Sequence, residues 1–222
     1  MGASGGFPID LVLFGMIAAF LVLRLRSILG KRTGFERQSP PIAPVRLRPV
    51  GPVIDAKAEA PQPASAQTVP EAGSPVGQAL AQMRGVDPSF DANRFLAGAE
   101  QAFRMIVAAF AAGNRVALRP LLSDEMYGVF EQAIGAREKA GETQVADIRS
   151  VQKLGIDAAE LKGRTGSVTV RIVSDQVSFT QDKDGKPVAG TDAVTEITDI
   201  WTFERDLSQQ DPTWRLVAAR SG

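Results

Sequence analysis

The chain has 222 residues with 25 basic and 25 acidic side chains, so its formal net charge is zero and no global charge draws it to nucleic acid. It contains no Cys and no His. That excludes disulfides, thiolate nucleophiles, Ser–His and Cys–His pairs, and zinc sites built on Cys and His ligands. An enzyme would have to work with carboxylate, Lys, Tyr or hydroxyl groups. The expectation is a protein that is not an enzyme and carries neither cofactor nor metal.

Residues 7–23 form an uncharged run broken only by Asp10, and from Leu11 to Leu23 every residue is apolar or Gly. Pro8 suits a first helical turn, and Asp10 lies near the positive end of the helix dipole. A helix of this length spans roughly 25 Å at 1.5 Å per residue, against about 30 Å of hydrocarbon core. Arg24 and Arg26 can snorkel to make up the difference. A cleavable signal peptide would need its positive charge before the apolar run and small residues after it, the reverse of what stands here. A buried helix of a soluble domain would show polar residues at helical spacing. The run therefore predicts a single-pass anchor.

Residues 24–37 are a basic collar, with Arg24, Arg26, Lys31 and Arg32 as candidate membrane-surface residues. Cationic residues on one side of a span set topology, which puts everything after the collar in the cytoplasm and the short N-terminus outside. Contact with anionic headgroups is a by-product worth about 1 kcal/mol per basic residue near the surface. Residues 38–86 hold nine of the fourteen prolines, mixed with Ala, Gln, Ser and Gly and without aromatics. This composition predicts a disordered linker that gives the following domain reach.

Residues 87–222 read as one α+β domain. Ser89 or Asp91 can cap a helix to about Ala112 whose stripe is Phe95, Ala99, Phe103, Ile106, Val107 and Phe110. Gly113-Asn114 ends it. Ser123 caps a second long helix to about Ala140, closed by Gly141, with Met126 or Tyr127, Phe130 and Ile134 inward. Strands follow at Val145 to Ile156, Ser167 to Gln181, Ala193 to Arg205 and Trp214 to Arg220. In the second of these, Val177 and Phe179 are out of phase with Val168, Val170 and Ile172, which predicts a bulge or bend near Ser174-Asp175. Trp214, Leu216 and Ala218 are expected to alternate inward. Helices followed by long bent antiparallel strands predict a cone-shaped sheet with a concave face.

Little chemistry stands out. Asp182-Lys183-Asp184-Gly185 opens like a calcium loop but lacks the remaining ligands and reads as a hairpin turn. Tyr127 is the only Tyr and reads as packing rather than proton transfer. Together with Phe130, Trp201, Phe203 and Trp214 it makes up a candidate pocket for a hydrophobic ligand or peptide, although aromatics on strands also serve the core.

Two stretches, RSILGKRTGFE after the anchor and TDIWTFERDLSQQDPTWRLVAAR near the C-terminus, resemble bacterial proteins carrying the domain of the mitochondrial inner-membrane translocase subunit 44. The pattern rests on Trp201, Thr202, Phe203, Glu204, Arg205, Asp211, Pro212, Trp214 and Leu216, while Phe35-Glu36 departs from the family's usual His-Glu. The resemblance implies a cone similar to nuclear transport factor two-like folds and a membrane-attached scaffold. Its partners would be proteins, among them chaperones or membrane-assembly machinery, and anionic lipid. Those residues read as fold determinants, and no binding site is carried over from them. The alternative is a cone-shaped domain that binds a small molecule or lipid in its cavity. The predicted topology, a single pass of a bacterial inner membrane, makes a cytoplasm-dependent reporter fused after Gly222 active; activity only outside the cytoplasm would reverse it.

Overall fold

The computed structural model describes residues 65–222. The anchor at 7–23, the collar at 24–37 with Arg24, Arg26, Lys31 and Arg32, and the linker up to residue 64 lie outside the described residues. Among those described, no helix is long and apolar enough to cross a membrane.

The first elements are a short strand β1 (Ala66–Thr68) and a helix α1 (Pro75–Val86). The Ser74 hydroxyl accepts the Gly77 N–H at 3.0 Å and Pro75 occupies the first turn, so α1 starts on a capped, proline-primed end. Leu80 and Met83 are buried, Met83 completely. The expected linker at 38–86 therefore ends too late. Its last stretch is part of the folded domain, because two apolar side chains three residues apart suffice to dock one helix face when sheet and aromatic residues wait to receive them.

Helix α2 (Ala92–Ala111) is capped by Asp91, whose carboxylate accepts the Arg94 N–H at 2.8 Å. Its buried side is Phe95, Leu96, Ala99, Phe103, Ile106 and Ala109, with Val107 and Phe110 packed beside them. The expected stripe is there, extended by Leu96 and Ala109. A four-residue helix α3 (Arg115–Leu118) leads to α4 (Asp124–Ala140), capped by Ser123 and closed by Gly141 at φ 69°. A left-handed backbone there is cheap only for Gly, and it lets the Gly141 N–H reach the Arg137 and Glu138 carbonyls. Met126 and Ile134 point inward, and Tyr127 and Phe130 are half-buried.

Four long or edge strands complete the chain: β2 (Thr143–Lys162), β3 (Thr165–Gln181), β4 (Pro187–Asp206) and β5 (Arg215–Ser221). With β1 they form one sheet ordered β1-β2-β3-β4-β5, antiparallel except for the parallel β1–β2 pair. The α+β reading stands, with helices packed on a sheet whose strands run further than expected. Three single-residue bulges, at Arg149, Gln152 and Asp157, interrupt β2 against β3. Each shifts the side-chain phase, so β2 buries Val151, Leu154 and Ile156 at irregular spacing and curves around the helices. The predicted bend near Ser174-Asp175 is displaced: β3 alternates through Gln176, and the irregularity sets Val177 opposite Asp192–Val194 of β4. In β5 a bulge at Val217 sets Leu216 opposite Phe203 and Ala219 opposite Trp201. Ala219, not Ala218, therefore reaches the core. The DKDGK segment is a hairpin turn in which the Asp182 carboxylate accepts the Asp184 and Lys186 N–H groups, both at 2.9 Å. That carboxylate serves the turn.

If α1 belongs to the domain, Met83→Ala in the full chain lowers the unfolding free energy by roughly 2–4 kcal/mol, the usual cost of emptying a buried Met site. Denaturant titration reads this directly, and an unchanged midpoint would return residues 75–86 to the linker.

Candidate functional site

The residues of the pattern from Trp201 to Leu216 build one corner of the molecule. Arg205, near the end of β4, has an 11% exposed side chain, and each of its three guanidinium nitrogens donates a hydrogen bond. It donates to the Asp87 carboxylate at 3.0 Å, to the Asp211 carbonyl at 2.8 Å and to the Gln209 carbonyl at 3.4 Å. Asp87 ends α1, while Gln209 and Asp211 lie in the loop before β5. The fork of one Arg therefore joins the α1–α2 corner to the β4–β5 loop. The other Asp87 oxygen accepts the Ser89 hydroxyl at 2.6 Å and the Ser89 N–H at 2.9 Å. Asp211 in turn accepts the Thr213 N–H at 2.9 Å, which sets the approach to Trp214.

Aromatic rings stack on this frame. Trp214 lies 4.8 Å from Phe95 and 5.8 Å from Phe90 between ring centroids, and Phe203 stands 6.2 Å from Phe95 at 81°. Edge-to-face pairs of this kind add to their burial. Beneath them Gly166 of β3 has no side chain where Leu207, Trp214 and Met83 converge; a Cβ there would sit 3.1–3.3 Å from each. Any side chain at 166 would push these three neighbours back by a few tenths of an ångström. The result is a groove between the first four turns of α2 and the Pro212–Trp214 turn. Phe90, Phe95, Phe203 and Trp214 form its aromatic wall, Gly98 and Ala102 its floor, and Met105, 54% exposed, its far end. Arg94 stands at its mouth.

Of the five residues expected to share a pocket, Phe203 and Trp214 do. Trp201 is 4% exposed and packs on Phe103 at 4.9 Å behind Phe203, as core. Phe130 packs on Phe110 at 4.9 Å. Tyr127 lies under Arg119, 4.9 Å from ring centroid to guanidinium carbon, in a separate cleft with Arg115 and Arg215. The five are not one pocket: α4 carries Tyr127 and Phe130 to a different part of the surface from the β4–β5 corner. Conversely Phe90, Gly98, Met105 and Arg205 were not singled out as site residues. A legible hint was the spacing of Gly98, Ala102 and Met105 along the side of α2 that carries Arg94.

A second cluster lies deeper. Ser174, Gln176 and Asp199 are buried, with the Gln176 amide donating to Ser174 at 2.8 Å and to Asp199 at 3.1 Å. The indole N–H of Trp201, two residues from Asp199 on the same face of β4, is buried without an acceptor among the described residues. No set of three or more acidic side chains able to hold a metal occurs among the described residues.

A family profile for the Tim44-like domain matches residues 76–221. The chain belongs to the Tim44-like domain family. The match starts inside α1, in keeping with a domain that includes this helix. No curated protein matches the chain by sequence. Solved structures similar to it include the intermembrane-space region of the chloroplast protein ARC6, at 12% identity and TM-score 0.42, covering 60% of this chain and 98% of that one. Another is a provisionally assigned dehydratase of the NTF2-like family from Streptomyces avermitilis, at 13% identity and TM-score 0.32, covering 55% of this chain and 92% of that one. In this Tim44-like domain Phe203, Arg205, Pro212 and Trp214 of the pattern supply one side of the groove, and α2 supplies the other.

Bonds from the Ser89 hydroxyl, then its N–H, with the Arg205 charge, hold the Asp87 carboxyl below its ordinary value despite the opposing effect of burial. A depressed folded pKa means stability present above the unfolded value near 3.8 and lost as pH falls through the folded one. Asp87→Asn is therefore expected to cost roughly 1–2 kcal/mol at neutral pH. The deficit relative to the natural chain should shrink in urea titrations below the ordinary carboxylate range; a pH-independent deficit would show that charge on Asp87 is irrelevant.

Proposed function

We propose that this Tim44-like domain is a non-enzymatic adaptor, held at the cytoplasmic face of a bacterial inner membrane by the 7–23 segment, that binds segments of other proteins, including chaperones or membrane-assembly factors. The observation that carries the reading is the groove beside α2. An aromatic wall, a floor without bulk and an exposed Met form an apolar recess on a rigid frame, and such surfaces are typical of protein recognition. The sequence adds support: without His or Cys the chemistry open to the chain is narrow, and an anchor followed by a basic collar suits a tethered binder. A second reading, a domain that holds a small molecule or lipid, is favoured by one observation, the Trp201 indole N–H that has no acceptor among the described residues, on the strand face that carries Asp199 of the Ser174–Gln176–Asp199 cluster.

The test is a photoreactive residue placed at Met105 in the groove, with one at exposed Val116 on α3 as control, in the full chain in native membranes. The adaptor reading expects discrete protein crosslinks from position 105 that are absent from position 116. Only lipid adducts, or an identical pattern from both positions, would refute it.

A further inference from the structure

Arg94, Gly98, Gln101 and Met105 recur at three- and four-residue steps and form one exposed face of α2. From Arg94 to Met105 this face runs about 16 Å, or three helical turns. A Cβ built on Gly98 meets nothing within 4 Å. Gly128 and Gly135 of α4 are equally open, so an open helical glycine carries nothing by itself. Gly98 differs in its place, on the groove floor between the Trp214 wall and the exposed Met105 thioether.

The backbone around the groove decides the form of its occupant. An extended segment would need an open strand edge to satisfy its own N–H and C=O groups. The groove offers none: one side is a helix, the other is aromatic side chains, and the nearby edge of β5 at Leu216 is taken by hydrogen bonds to Leu121 and Ser123 at 2.9 and 3.0 Å. A helix brings its backbone already paired, and a floor of Gly98 and Ala102 lets its axis come to about 8 Å from that of α2. Charge decides one more feature. Asp91 is committed to capping α2, and Arg205 to Asp87 and two carbonyls. Arg94 has no side-chain partner among the described residues, which leaves the mouth of the groove with a positive charge to answer.

We propose that the groove beside α2 receives an amphipathic helix of a partner protein, about three turns long, with an apolar stripe against Gly98 and Ala102 and a carboxylate meeting Arg94. This rests on the adaptor reading and specifies its partner.

The experiment is selection of a displayed library of random peptides of about 14 residues, a length that covers three turns, on the full-length chain in detergent micelles. The expected winners carry Leu, Ile, Phe or Met at helical spacing with Asp or Glu near one end, and no internal Pro. On Arg94→Glu the acidic preference should turn into Lys or Arg. Gly98→Leu fills the floor with a better helix former, so the thermal midpoint should not fall, while affinity for the winners drops at least about tenfold. Winners with Pro or with strand-like alternation that Gly98→Leu still weakens would overturn the helix and leave the adaptor reading standing. Winners indifferent to both substitutions, or no enrichment, would overturn the proposal. Enrichment failing while brominated-lipid micelles quench Trp214 in a Gly98-dependent way would assign the groove to acyl chains instead.

Discussion

The guanidinium of Arg205 holds together two parts of the chain that lie 118 residues apart. It meets Asp87 at the end of α1 and two carbonyls of the loop before β5, and each of its bonds uses a different nitrogen. A Lys could supply the charge but not the fork. Both side chains of the pair are 11% exposed, where an unpaired charge would be costly and a paired, hydrogen-bonded one is tolerated. Without this join the α1–α2 corner and the Pro212–Trp214 turn are held by side-chain packing alone, and the rings of Phe90, Phe95 and Trp214 lose the polar frame beside them.

Packing then completes what the ion pair starts. At Gly166 side chains of α1 and the β4–β5 turn converge on β3, through Met83, Leu207 and Trp214. Further along the sheet Phe103 meets Trp201, and the bulges of β2 wrap the sheet about α2. The same arrangement that buries Phe203 and Trp201 leaves Trp214 partly uncovered and Met105 exposed, so the groove is a by-product of how the core closes at this corner. Phe90, Phe95 and Phe203 of the groove wall are also core residues, which keeps that wall rigid.

Much of this was legible along the chain. A first cap at Ser89 or Asp91, the cap at Ser123, the stop at Gly141 and the stripe through Phe95, Phe103 and Ile106 follow from local rules, and the structure chooses Asp91 for the first and has the rest where the rules put them. The start of the domain did not follow. Residues 75–86 share the Pro, Ala and Gln content of the preceding stretch, and only the burial of Leu80 and Met83 against distant strands makes them a packed helix. The phases of β2 and β5 were hidden by bulges, because one extra residue turns every later side chain to the other face. The candidate site was half legible. Phe203 and Trp214 belong together, but Tyr127 and Phe130 were joined to them on residue type alone, without knowledge of where α4 would lie.

By itself the sequence determined what depends on near neighbours: the two long helices and their ends, the hairpin at Asp182–Lys186, the order of those helices before the long strands, the chemistry ruled out by missing His and Cys, and membership in a family through a spaced pattern of Trp, Arg and Pro. Only the tertiary structure decided what depends on contacts between distant residues. It made α1 part of the domain and Arg205 a joint, and it turned Trp214, Gly98 and Met105 into one groove. The physical reason is range. Capping and periodicity act within a turn or two of backbone, whereas burial and ion pairing at this corner are settled between residues more than a hundred positions apart, after the sheet has curved to bring them together.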